Sequence, residues 1–252
     1  MLRKTLMLTA GLLAAIACGP LAARSLVEID VVDRDSGQWL PEYRHRGQDW
    51  IAGQPGNRYA VRLTNNSGER VLVVLSVDGV NAISGQTAHP SQAGYVLGPW
   101  QSTEVAGWRK SLDDIAQFVF TDLPDSYAAR TGRPDNVGVI GIAVFRERRI
   151  VPRPIPMPAP VTGARNAAPA AEASRADSTA QGIGTGHGQR EWAPVSRTDF
   201  RRASTQPAQL SQLRYDDEAG LVAMGVLPRR HRPDVRGPQA FPGGFVPDPP
   251  RW

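Results

Sequence analysis

RYAVRLTNNSGERVLVVLSVDG, residues 58–79, sets two kinds of strand around one turn. In the first half Tyr59, Val61 and Leu63 fall on one face and Arg58 and Arg62 on the other, the period-2 pattern of a half-buried strand. NNSG supplies turn residues. In the second half VLVVLSV is apolar on both faces, which predicts a strand interior to a sheet and covered on two sides.

The same punctuation extends in both directions. LVEIDVVD (26–33) alternates apolar and acidic residues, and DRDSG (33–37) reads as a turn. Asp33, Asp35 and Gly37 also suggest a calcium loop, but the glycine falls one position early and Arg44 stands where the closing glutamate belongs, so the hairpin turn is the better reading. QWLPEY (38–43) reads as an edge strand because Pro41 cannot donate to a ladder. GYVLGP, STEVAGW, AQFVFTDL and NVGVIGIAVFRE continue the series. Only SLDDIAQ (111–117) and DSYAARTG (125–132) have room for a turn or two of helix. Seven to nine strands in ~125 residues predict an all-β fold, an antiparallel β-sandwich of immunoglobulin-like or jelly-roll-like type, over residues 24–150.

Composition then changes. Prolines at 152, 154, 156, 158 and 160, followed by an Ala/Ser/Thr-rich run, mark residues 151–181 as a disordered linker. Residues 182–228 regain order signals, with QLSQLRYD and LVAMGVLP reading as a hairpin joined by DEAG. Forty-seven residues without cysteine cannot close a core alone, so this segment is expected to dock on the edge of the sandwich. Residues 229–252 read as an irregular basic tail.

The N-terminus carries Arg3 and Lys4, then an apolar run from Leu6 to Ala17, too short to span a bilayer and shaped like an export signal over residues 1–23. Two cuts fit: after Ala17, where Ala-Ile-Ala-Cys resembles a lipobox and Cys18 becomes a lipidated N-terminus, or after Ala23. Cys18 is the only cysteine, so the mature chain has no internal disulfide. These features predict a periplasmic or lipid-anchored protein, with Cys18 as the membrane anchor under the first cut. The formal net charge is +5. Residues 24–150 carry 14 basic and 15 acidic side chains, whereas 151–252 carry 13 and 9, so the excess sits in the C-terminal part. In an exported protein that excess points to anionic lipid or cell-wall polymer rather than nucleic acid.

No catalytic constellation is legible. GIGTGHGQREW (182–192) lacks the preceding strand and following helix of a phosphate loop, and His187 with Glu191 lacks further ligands for a metal. Its glycines read instead as a docking loop that lets the backbone approach the sandwich, with Trp192 as the anchor. There is no nucleophile elbow, and adjacent Asp113 and Asp114 do not face one another. No cofactor is implied. The candidate ligand-binding residues are Asp78, Asn81, Arg109, Tyr127 and Arg130, in loops with the amide, aromatic and cationic groups that suit a sugar or peptide. The competing assignment has Asp78 and Asn81 serving their own turns and Trp100 and Trp108 filling the core.

SVDGVNAISG, GWRKS, FVFTDLPDSYAARTGRPDNVGVIGIAVF, TGHGQREW and RYDDEAGLVAMGVLP together resemble an uncharacterised family of exported proteobacterial proteins. The resemblance covers residues 26–150 and 182–228. It implies export and the two-block design, and carries no activity or site residue with it. The expectation is a non-enzymatic envelope protein that binds an envelope partner or cell-wall component. Its rival is a carbohydrate-binding module or hydrolase using the loops around Asp78 and Tyr127.

Overall fold

The computed structural model describes residues 25–149 and 181–228. The export signal with Cys18, residues 151–180 of the expected linker and the 229–252 tail lie outside the described residues.

The chain enters as β1 (Val27–Asp33), β2 (Tyr43–His45), β3 (Gln48–Ala52), β4 (Arg58–Asn65) and β5 (Val71–Val77). Short strands follow: β6 (Val80–Asn81), β7 (Tyr95–Leu97), β8 (Ser102–Val105) and β9 (Gly107–Arg109). Two long ones, β10 (Asp114–Asp122) and β11 (Val139–Arg146), bracket the one-turn helix α1 (Tyr127–Arg130). After residue 181 come β12 (Ile183–Trp192), β13 (Gln209–Asp216) and helix α2 (Glu218–Ala223).

One sheet runs β1-β4-β10-β12, with β8 also on β4 and β9 on β10. The other runs β2-β3-β13-β11-β5-β6, with β7 also on β5. All pairings are antiparallel except β13 with β3. Inward residues of both sheets, among them Val31, Tyr59, Leu63, Phe118, Leu75 and Ile142, form one core cluster. The fold is therefore the all-β sandwich predicted, two sheets facing across an apolar layer. The second strand of the opening stretch is interior, flanked by β11 and β6, and its outer face is covered too: Leu72 and Val74 join Ala143 and Phe145 in a small cluster under Phe200.

The C-terminal part departs from expectation in instructive ways. Residues 183–192 are a full strand, not a loop, and extend the first sheet beside β10. The glycines explain how. A Cβ on Gly184 would lie 2.5 Å from Val137 Cγ1 and 2.6 Å from Ser126 Cβ, and one on Gly188 would lie 2.7 Å from Val119 Cγ2. They allow close approach, as expected, but inside a strand. Trp192, expected to anchor the segment, is 73% exposed; Ile183 and Thr185 are the buried residues instead. β13 is not on an edge but wedged between β11 and β3. The expected hairpin does not form: LVAMGVLP begins in α2, whose N-cap is Asp217, its carboxylate accepting from the Gly220 N–H at 2.6 Å. Gln181, assigned to the linker from the sequence, is buried.

Three smaller differences complete the picture. SLDDIAQ holds no helix, for β10 starts at Asp114, whereas YAAR does form α1, capped by Ser126. Residues 38–42 form a bridge from Trp39 to Val32 rather than a strand, and Tyr43 opens β2. The Asp33 carboxylate accepts from the Asp35 and Ser36 amides, so it closes the turn.

Candidate functional site

Asp78 and Gly79 link β5 to β6 as a two-residue turn with φ of +54° and +72°. Both central residues are left-handed, the requirement of a type I′ hairpin that Asp-Gly meets. The turn tucks the Asp78 side chain inward, where it is 1% exposed. Its carboxylate accepts from the amide of Gly138 (2.9 Å), the amide of Thr185 (2.7 Å) and the hydroxyl of Tyr215 (2.5 Å). Since Tyr215 gives its only proton to Asp78, its oxygen must accept from Thr185 Oγ1 at 2.6 Å. Thr185 in turn accepts from Tyr59 at 2.5 Å. The result is a directed chain, Tyr59 to Thr185 to Tyr215 to Asp78, with each hydroxyl both donating and accepting or ending the chain. Burial pushes the Asp78 carboxyl up to about 6 against the pull of these donors, and raises both tyrosines well above their ordinary value. The cluster ties β4, β5, β12 and β13 together.

Asn81 is buried and committed to its own loop. Its side-chain oxygen accepts from the Ile83 and Ser84 amides and its nitrogen donates to the Ala93 carbonyl. Asn81 thus serves its own turn, as the competing assignment of the sequence analysis has it, whereas the Asp78 carboxylate serves distant segments rather than its own turn. Trp108 is buried as that assignment requires, but Trp100 is 68% exposed.

Tyr127 and Arg130 lie on α1. Tyr127 is half-buried, with Trp108 at 5.0 Å and His187 at 5.5 Å between ring centres, and the Arg133 guanidinium covers its other side at 5.8 Å. Burial, Lys110 and Arg130 lower the His187 pKa, so it is neutral at physiological pH. Glu191, four residues beyond His187, is held by Arg34 through two contacts of 2.7 and 2.8 Å and by Gln117. Arg34 above all keeps its carboxyl below the ordinary range. It fastens β12 to the turn after β1. Among the described residues no three His, Cys, Asp or Glu side chains gather as a metal site would need.

Arg109 sits elsewhere. It ends β9, donates to the Ala193 carbonyl, and lines a cleft of about 1020 Å³ where β7, β8 and β9 meet residues 194–199 of the β12–β13 crossover. Lys110, Arg197, Tyr95, Ser196 and Leu112 share this cleft, whereas Asp78, Tyr127 and Arg130 do not. A second cleft of about 800 Å³ lies over the outer face of β5, β11 and β13, and it too excludes those three. Neither cleft joins the residues proposed from the sequence. Those that line the first one, Tyr95, Lys110 and Arg197, are spread over more than a hundred positions. The basic excess of the C-terminal part hinted at Arg197 alone.

No protein-family model, curated protein or solved structure matches this chain.

Proposed function

We propose that this is an exported cell-envelope protein whose β-sandwich binds an envelope partner or cell-wall component and performs no catalysis. The observation that carries the reading is the Arg109 cleft: a recess of about 1020 Å³ within a sandwich whose other polar cluster, around Asp78, is internally satisfied. Such a recess is the size of small-molecule and segment-binding sites. The rival reading needs Asp78 to meet substrate, yet that carboxylate is enclosed and already accepts three hydrogen bonds.

Export rests on the N-terminal signal, and mass spectrometry of the mature N-terminus resolves its two forms. A diacylated Cys18 marks a membrane anchor, and an unmodified Arg24 marks a free periplasmic protein. For the binding role, a photo-crosslinking residue is placed at Ser196 in the cleft and, as a control, at exposed Asp125, in living cells. The reading expects a discrete adduct from position 196 that position 125 does not give. Equal adducts from both positions, or none from either, contradict it.

A further inference from the structure

The cleft has a chemical bias that narrows its ligand. Eight arginines of the described sandwich hold carboxylates: Arg34, Arg44, Arg58, Arg62, Arg70, Arg146, Arg149 and Arg190. Among the described residues, the three cations that line the cleft, Arg109, Lys110 and Arg197, hold no carboxylate, and Asp199 is the single carboxylate in the lining. Lys110 and Arg197 are exposed, so their charges face solvent in a recess whose low-dielectric walls concentrate the field. That field reaches beyond the rim, since Lys110 helps depress His187.

A second feature lies in the cleft wall. The Arg109 guanidinium lies against the buried Tyr95 hydroxyl, whose upward shift on burial it counters, and also donates to the Ala193 carbonyl. Arg109 is therefore engaged within the wall, and Lys110 and Arg197 are the cations left open to a ligand. The rest of the lining is part apolar, with Ile83, Val96, Leu112 and Val195 beside the cations.

We propose that the cleft binds an oxyanion, a carboxylate or phosphate, carried on a part-apolar body, with Lys110 and Arg197 as the charged contacts. The proposal rests on the binding role given to this cleft above and specifies its ligand class. Guanidinium forks pair with carboxylate and phosphate alike, which is why the shared chemistry is named.

The test titrates the full mature protein with three probes, followed by backbone amide NMR: phenyl phosphate, benzoate, and phenol as the neutral counterpart. Either anion is expected to shift the amides of Lys110, Ser111, Ser196 and Arg197, to bind more weakly as salt rises, and to lose about tenfold or more in affinity in the Lys110→Ala/Arg197→Ala double variant. The comparison of phenyl phosphate with benzoate assigns the anion. Circular dichroism of the double variant separates lost binding from lost folding, and Lys110→Arg should retain affinity. Three results overturn the proposal: no shift of those amides by either anion, phenol binding as tightly as the anions, or an unchanged affinity in the folded double variant. Phenol equal to the anions sinks the anionic ligand but leaves the binding role standing. The crosslinking experiment judges that role independently.

Discussion

Two polar clusters in this sandwich face opposite physical situations. Around Asp78 the groups are deeply buried, and each donor meets an acceptor: two amides and a tyrosine on the carboxylate, two hydroxyls behind the tyrosine. Around Arg109 the cations are exposed or half-exposed and, among the described residues, unpaired with carboxylates; Arg109 is engaged by Tyr95 and the Ala193 carbonyl, while Lys110 and Arg197 face solvent. The first arrangement specifies a fold, because a fully satisfied buried network has one geometry and penalises others. The second leaves interactions open for something outside the chain. A polar residue beside a turn is thus a poor guide to function until its partners are known, and Asp78 and Arg109 looked equally promising in the sequence.

The largest effect that would sharpen this contrast comes from removing the satisfied cluster's acceptor. Asp78→Ala strands the Gly138 and Thr185 amides and the Tyr215 hydroxyl in the core, and should cost about 3–5 kcal/mol in urea unfolding. A loss below about 1 kcal/mol would mean that water replaces the carboxylate, and the cluster would not be the closed unit described.

The pH dependence of stability comes next. The Asp78 carboxyl is raised in the fold from 3.8 to about 6, so folded protein binds the proton before unfolded protein does. Its contribution is greatest below the unfolded value near 3.8 and is lost as pH rises through about 6. At ~1.36 kcal/mol per pH unit the interval amounts to up to about 3 kcal/mol. Unfolding free energy measured from pH 7 to pH 4 should therefore rise more on acidification in the natural protein than in Asp78→Asn. Parallel curves for the two proteins would show that the carboxyl titrates normally.

A smaller effect separates two glycines. Gly184→Ala pushes a methyl against Val137 and Ser126 and should cost about 1–3 kcal/mol. At Gly141 the nearest atom to an added Cβ is 3.8 Å away, so Gly141→Ala should be neutral or stabilising by about 0.4–1 kcal/mol through the unfolded chain. Equal effects on thermal unfolding would remove close approach as the reason for glycine in β12. Smallest of all is the cleft: Lys110→Ala and Arg197→Ala should each change stability by no more than about 0.5 kcal/mol, since both side chains are exposed and neither is ion-paired among the described residues. A large loss there would make those cations structural and erase the contrast.

The sequence disclosed the sandwich where side-chain alternation carried the signal. β4 and β5 could be read from Tyr59, Val61, Leu63 and the VLVVLSV run, and the Asp78-Gly79 turn from its residue types. It concealed β12, because glycine disfavours strands and alternating glycines look like a loop; only Val137, Ser126 and Val119 show why they are needed. α2 was missed because LVAMGVLP is rich in β-formers, while the Asp217 cap that starts the helix passed for a hairpin turn. The convergence of Tyr59, Thr185 and Tyr215 on Asp78 was unreadable, since these residues are non-local and each looks ordinary in its own segment. The cleft was hidden for the same reason, with Arg109 its one member suspected beforehand.

The central claim is that residues 183–216 complete both sheets and close over Asp78. Native-state hydrogen exchange tests it most directly, at the amides of Thr185, bonded to Asp78, and Tyr215, bonded to the Gly138 carbonyl at 3.0 Å. Both should exchange only through global unfolding, with the same free energy as the β5 and β11 amides. Exchange at Thr185 and Tyr215 orders of magnitude faster than in β11 would contradict the account, since the C-terminal strands would then be opening independently of the sandwich.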